Sequence, residues 1–310
     1  MVSGIDTALG EITLVLFTTL APSGVVAYAI MGLPVVRGGL SVEAQRRIDQ
    51  FLAIPLVVSM VGLVASATHL GNPANALFVF LGVGRSPLSN EVFCAVVFLL
   101  LAGVYWLYSF AERPRRKLQR AWMALSLAAG VAFVTSVAFA YSAETILSWH
   151  TAYVPLALWL NALTGGPVLA LLGLRAAGFP PVEGRLGRVL LLCSLVALAA
   201  NVATYGLQAV QLPSIGNSFV TAADLVPCYG MMIAAFGALG AAGIGLDART
   251  LLGGRVHRGP ETARPGVLAR SQTARSATMQ AVCASVFVLS GIFIMRFAFY
   301  MMHLTAGLGV

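Results

Sequence analysis

The chain has 310 residues, 59% of them hydrophobic and only 10% charged, with a mean hydropathy of +0.88, whereas a soluble domain is about 45–50% apolar and about 25% charged, so a water-soluble globule is excluded. Its apolar runs are too long for a β-barrel, whose strands alternate over about ten residues, and in lipid each run must close its own backbone hydrogen bonds as a helix. The net charge of +8 would suit nucleic acid, but the placement of the cations gives it another meaning.

A bilayer core about 30 Å thick takes about 20 apolar residues per helix. The first run, Ile12 to Leu33, has no Lys or Arg before Arg37 and leads into a second span, so it reads as a retained helix rather than a cleavable signal. The second helix is expected at Phe51 to Leu70, the third at Glu91 to Ala111 and the fourth at Ala121 to Tyr141. Four more follow at Ala152 to Leu174, Arg188 to Gln208, Leu225 to Leu246 and Met279 to His303. The expectation is an all-α integral membrane domain of eight transmembrane helices, arranged as two four-helix bundles. The Arg-, Gly- and Pro-rich stretch from Asp247 to Ser276 reads as a flexible cytoplasmic loop.

Seventeen of the nineteen cations fall in alternate loops. Arg37, Arg46 and Arg47 follow helix one; Arg113, Arg115, Arg116, Lys117 and Arg120 follow helix three; Arg175, Arg185 and Arg188 follow helix five; six more, Arg249 to Arg275, follow helix seven. The positive-inside rule makes these loops cytoplasmic and both termini external. The basic charge is therefore topology and not nucleic-acid binding. Cys94, Cys193, Cys228 and Cys283 stand singly, without a C-x-x-C pair, so an iron-sulfur centre belongs to another chain.

Ionisable groups inside a membrane cost about 2.5–3.5 kcal/mol each and are functional candidates. His69 ends helix two, Glu91 begins helix three, Glu144 and His150 flank the loop after helix four, Asp224 precedes helix seven, and Arg296 and His303 lie late in helix eight. All map to the outer half. The inner halves read as essentially free of ionisable side chains, which argues against a proton pump or a proton-coupled transporter. Arg296, Tyr300 and His303, spaced four and three apart, would share one helix face. Each has a plainer explanation: a snorkelling arginine, an interfacial histidine, a His69 that caps its helix, and a Glu91 that serves the first helical turn.

Together they suit quinol oxidation, in which two protons leave with two electrons. His69 and Glu91 would accept protons, and Arg296, Tyr300 and His303 would line the pocket around the quinone oxygen.

The sequence resembles the membrane-anchor subunit of the dimethyl sulfoxide reductase family, within the wider polysulfide-reductase-like eight-helix anchors. The similarity runs nearly end to end. It is carried by Ser41-Val42-Glu43-Ala44-Gln45-Arg46-Arg47, His69-Leu70-Gly71-Asn72-Pro73, Ser89-Asn90-Glu91, Trp149 and Gly165-Gly166-Pro167, then by Gln208, Leu225-Val226-Pro227, Tyr229-Gly230 and Phe299 to Thr305. The resemblance implies a three-subunit enzyme of a bacterial cytoplasmic membrane: a molybdopterin catalytic subunit, a four-cluster iron-sulfur subunit, and this anchor, which oxidises menaquinol and binds no haem. It matches the family's quinol-site histidine to His69 and its sensitive glutamate to Glu91. Where relatives often have Asp in the seventh helix this sequence has Cys228, with Asp224 one turn earlier as a substitute. The charge pattern puts His69 and Glu91 on the outer face, where the soluble subunits would dock and turnover would move no net charge.

Three alternatives stand beside this. The same anchor can run in reverse as a quinone reductase for a sulfur-compound dehydrogenase. A b-type cytochrome would need paired buried histidines, for which only His69 and His303 qualify, His150 being at a boundary and His257 in a basic loop. A solute transporter would place its polarity near the midplane.

Overall fold

A computed structural model describes residues 4–69, 73–217, 219–256 and 267–305, with the backbone alone for 73–76, 253–256 and 267–275. Short α1 (Gly4–Gly10) leads into α2 (Ile12–Arg37), the first span. The second span, Val42–Thr68, is made of α3 (Val42–Phe51) and α4 (Ala53–Thr68). The joint has a local cause: Pro55 has no N–H to offer the carbonyl four residues back, so the ladder is interrupted at Leu52. Then come α5 (Pro87–Tyr108), α6 (Arg116–Ala140), α7 (Tyr153–Ala176), α8 (Arg185–Gln211), short α9 (Ala222–Leu225), α10 (Tyr229–Val256) and α11 (Val267–Met301). The protein is a multi-pass helical membrane protein, with eight helices among the described residues long and apolar enough to cross a bilayer. No strand occurs among them, only isolated bridges at Ile146 with Thr305 and Gly216 with Thr221.

Helix contacts divide the spans into two sets of four. The set α2, α3–α4, α5 and α6 packs together, and so does the set α7, α8, α10 and α11. The seam between them is formed by α2, α7 and α11, which makes the first and fifth spans the most buried. Side chains such as Val61, Leu100, Leu125, Val131, Leu192 and Leu207 stay exposed on the outer surface of the bundle, as lipid-facing residues must.

Close approach at the seam rests on small residues rather than on a hydrophobic force, which lipid does not supply between helices. A Cβ on Gly166 of α7 would run into Val26 and come within 3.2 Å of the Ala27 backbone nitrogen on α2. Gly166→Leu is therefore expected to wedge the two sets apart and cost roughly 1–3 kcal/mol. Thermal unfolding in detergent would show a lowered midpoint, and an unchanged one would mean the seam yields freely.

The structure differs from the sequence expectation in three places. The stretch expected as one loop, 247–276, is helical at both ends, since α10 runs to Val256 and α11 starts at Val267; residues 257–266, with His257, lie outside the described residues, as do Leu70, Gly71 and Asn72. Helix eight, expected to reach His303, ends at Met301. Beyond it the polypeptide turns back to the loop after α6, where the Leu147 amide donates to the Leu304 carbonyl at 2.8 Å and the Ser148 hydroxyl to the Met302 carbonyl.

The third difference concerns the basic-loop end, expected to be free of buried ionisable groups. Asp49 of α3 is buried there, accepting from Tyr105 Oη at 2.7 Å and from Gln119 Nε2 at 3.5 Å, while Gln45 Nε2 donates to Gln119 Oε1 at 2.9 Å. Arg175 of α7 is likewise buried, against Asp247 of α10 at 2.5 Å and Glu183 at 3.2 Å. Hydropathy places Asp49, Arg175 and Asp247 just outside their spans. The helices extend past the apolar windows and bring them into the protein.

Candidate functional site

The opposite, cation-poor end gathers a different set of side chains. On α5, Ser86 is the N-cap, accepting from the Ser89 amide at 3.5 Å, and Pro87 takes the first helical position. Glu91 is thus beyond the first turn and is no capping carboxylate. It lies on the core face with Ala95, Phe98, Ala102 and Tyr105, is 3% exposed, and its Oε2 has no hydrogen-bond partner.

Across the seam, Arg296 of α11 is 2% exposed, which removes the snorkelling explanation. Its Nε donates to Thr18 Oγ1 of α2 at 2.9 Å, and its guanidinium lies 4.1 Å from the Phe299 ring centre, 5.6 Å from that of Tyr300 and 5.7 Å from that of Tyr141. It forms no ion pair among the described residues, and Nη2 is unpartnered. Aromatic faces offset part of the cost of that buried cation. The Tyr300 hydroxyl, fully buried, also lacks a hydrogen bond. Tyr141, at the end of α6, joins the cluster, its ring lying 5.9 Å from that of Tyr300 and 6.1 Å from that of Trp149.

His69, at the end of α4, places Nε2 3.2 Å from Glu11 Oε2, within ion-pair distance though not aligned as a hydrogen bond. His303, beyond α11, stands edge-on to Trp149 at 5.0 Å; burial lowers its pKa, partly opposed by Glu11. Its imidazole is therefore neutral at neutral pH. Trp149 links the groups: it also meets Tyr300 at 5.6 Å and donates Nε1 to the Phe299 carbonyl at 3.1 Å.

The five residues singled out from sequence thus form two neighbouring groups. Glu91, Arg296 and Tyr300 are interior, while His69 and His303 share Glu11 at the rim. The single helical face expected for Arg296, Tyr300 and His303 holds only for the first two, because the helix stops before the third. Asp224 does not substitute for a carboxylate at Cys228: it is exposed and caps α9, accepting from the Thr221 amide at 2.9 Å and hydroxyl at 2.6 Å, which lowers its pKa. Glu144 and His150 are exposed in their loop.

Sequence reasoning missed Glu11, Thr18 and Tyr141. It also gave no role to Gln208, which accepts from Tyr229 Oη at 2.9 Å, or to the buried bond from Asn161 Nδ2 to Tyr205 Oη at 2.8 Å. Among the described residues, most buried polar atoms without a partner lie at this end: Glu11 Oε2, Thr13 Oγ1, Glu91 Oε2, Thr151 Oγ1, Arg296 Nη2 and Tyr300 Oη. Buried polar groups are nearly always paired, so such a cluster has the donors and acceptors that a polar guest would satisfy. Beside it, between α5 and α6, a groove of about 410 Å³ is lined by Pro87, Asn90, Ala132, Thr135, Ser136 and Phe139. Thr135 and Ser136 spend their hydroxyl protons on their own helix, so the groove is effectively apolar.

Comparison with known proteins identifies the family of the chain. Residues 5–255 match the family described as DMSO reductase anchor subunit. The protein is 30% identical over 300 residues to the YnfH subunit of an anaerobic dimethyl sulfoxide reductase of Escherichia coli (strain K12), covering 97% of each. It is 31% identical over 224 residues to the C subunit of the anaerobic dimethyl sulfoxide reductase of the same organism, covering 72% of this protein and 77% of that one. With the corresponding C subunit of Haemophilus influenzae it shares 31% over 231 residues, covering 73% and 80%.

Proposed function

The chain belongs to the DMSO reductase anchor subunit family, and on that premise we propose that it binds and oxidises menaquinol at its cation-poor end and passes the electrons to an iron-sulfur subunit that serves a molybdopterin catalytic subunit. The observation that carries this is the set of unpartnered buried atoms around Tyr141: Arg296 Nη2 and Tyr300 Oη, whose groups lie 5.7 and 5.9 Å from its ring, and Glu91 Oε2 of α5, the helix packed against α6. A quinol presents two hydroxyls, each able to give a proton and to accept a hydrogen bond. Glu91 takes one proton and His69 the other. Arg296 and Tyr300 donate to the oxygen as it becomes a carbonyl. The α5–α6 groove, open to lipid and one residue from Glu91, suits the isoprenoid tail.

Within the first helix set, the interior supports proton release to one side only. From Asp49 and Tyr28 at the basic end, the core of the first helix set continues into Phe98, Phe133 and Phe17, whose rings meet at 6.1 and 6.4 Å. These rings carry no proton, and Thr18 with Arg296 begins only beyond them. By the charge rule the cation-poor end is external, so the soluble subunits dock on the outer face.

The test is titration of a fluorescent quinol-site inhibitor against the assembled complex while menaquinol oxidation is followed. His69→Ala should weaken binding about tenfold, equal to roughly 1.4 kcal/mol, and lower turnover with the partner subunits still attached. Unchanged binding and turnover would leave His69 as a helix end and the quinol site elsewhere.

A further inference from the structure

Glu11 takes no part in the proton transfers assigned to Glu91 and His69, yet it is placed where that chemistry needs an exit. It is the N-cap residue of α2, where a carboxylate usually answers the helix dipole or caps the first turn. Its side chain makes no capping bond. Oε2 instead sits 3.2 Å from His69 Nε2 at the end of α4, and its charge reaches His303 beyond α11. One carboxylate from the first span therefore faces imidazoles from the second and the eighth. The site also spans a gradient of exposure: the Glu91 and Arg296 residues are 3% and 2% exposed, whereas the Glu11 and His69 side chains are 31% and 42% exposed.

We propose that Glu11 is the positioning residue of His69 and the outlet that carries its quinol proton to water, an assignment that rests on the quinol reading. With Nε2 turned to Glu11, the imidazole leaves Nδ1 to receive the proton. The quinol O–H bond breaks and an N–H bond forms at Nδ1. The imidazole, 3.2 Å from Oε2, swings into line with it; the Nε2–H bond breaks, an O–H bond forms on the Glu11 carboxylate, and water reaching the exposed part of that side chain removes the proton. The two electrons of the quinol go to the iron-sulfur clusters of the partner subunit; Glu11 finishes as it began, and His69 is left as the Nδ1–H tautomer, which proton exchange with water at the exposed rim or a ring flip returns to the Nε2–H form.

The experiment uses the assembled complex in three forms, wild type, Glu11→Gln and Glu11→Ala. It measures inhibitor affinity, maximal menaquinol oxidation in H₂O and D₂O, and the response to added formate. Glu11→Gln should bind inhibitor within about twofold of wild type and turn over roughly tenfold more slowly, short of the about 10²–10⁴-fold that follows loss of a group taking the proton directly. Its solvent isotope effect should grow, and formate, small enough to reach the rim, should restore turnover to Glu11→Ala. Unchanged turnover, or a loss with no change in isotope effect and no response to formate, would make Glu11 an ion-pair partner alone and overturn the proposal. Should His69→Ala in parallel keep full turnover and binding, the quinol reading itself falls; a His69→Ala collapse beside an intact Glu11→Gln removes only the outlet.

Discussion

Glu91→Gln is expected to lower menaquinol oxidation by roughly two to four orders of magnitude while the complex stays assembled. The substitution keeps the shape of the side chain and its place on the core face of α5. It removes the capacity to accept a proton where the described interior holds no second carboxyl: Arg296 and Tyr300 are donors, and Asp49 lies at the other end, behind Phe98 and Phe133. Oε2 has no hydrogen bond to lose, so packing alone predicts almost no change. The two explanations separate cleanly in a turnover assay paired with a thermal midpoint. A large fall in turnover at an unchanged midpoint identifies proton transfer, and turnover within twofold of wild type would reduce Glu91 to a buried filler. Glu91→Asp should recover part of the activity, since it retains the carboxyl but sets it back by one methylene.

The eight spans are legible in the sequence because lipid demands long apolar runs, and the number of helices follows from counting them. Their ends are not, because a helix leaving the bilayer changes composition without ceasing to be a helix. Asp49 shows the difference: it stands in α3, whose polar face includes Glu43, Arg46 and Arg47 and whose composition is that of a loop, yet the helix turns it inward to Tyr105. Arg296 and Glu91 stand out as ionisable groups in apolar surroundings. Glu11 does not, since it precedes the first apolar run and its partner lies 58 positions further along the sequence. Thr18 is equally silent, because a threonine in a helix ordinarily bonds its own preceding turn, as this one does to Leu14 at 2.8 Å while also receiving Arg296. The helical spacing of Arg296, Tyr300 and His303 misleads for a different reason. Periodicity assumes that the helix continues, and here the polypeptide is drawn off after Met301 by Ser148 and Leu147.

Asp247→Ala is expected to be the most destabilising single change at the basic end, at roughly 3–5 kcal/mol. Arg175 and Asp247 have side chains 2% and 0% exposed, and their contact ties α7 to α10 within the second helix set. Truncating the acid leaves the guanidinium buried with Thr250 at 2.5 Å and the half-exposed Glu183 at 3.2 Å. Glu183 keeps the loss from exceeding that range, because it can follow the cation toward water. The double variant Arg175→Met with Asp247→Leu removes both charges and should regain most of the stability, since apolar residues of similar volume replace a buried pair at little net cost. A thermal unfolding series of the wild type, Arg175→Met, Asp247→Leu and the double variant isolates the coupling. If the double variant is no more stable than Asp247→Ala, the pair acts through packing and not through charge. Inhibitor affinity should be the same in all four, because the clamp and the cluster around Glu91 sit at opposite ends of the bundle.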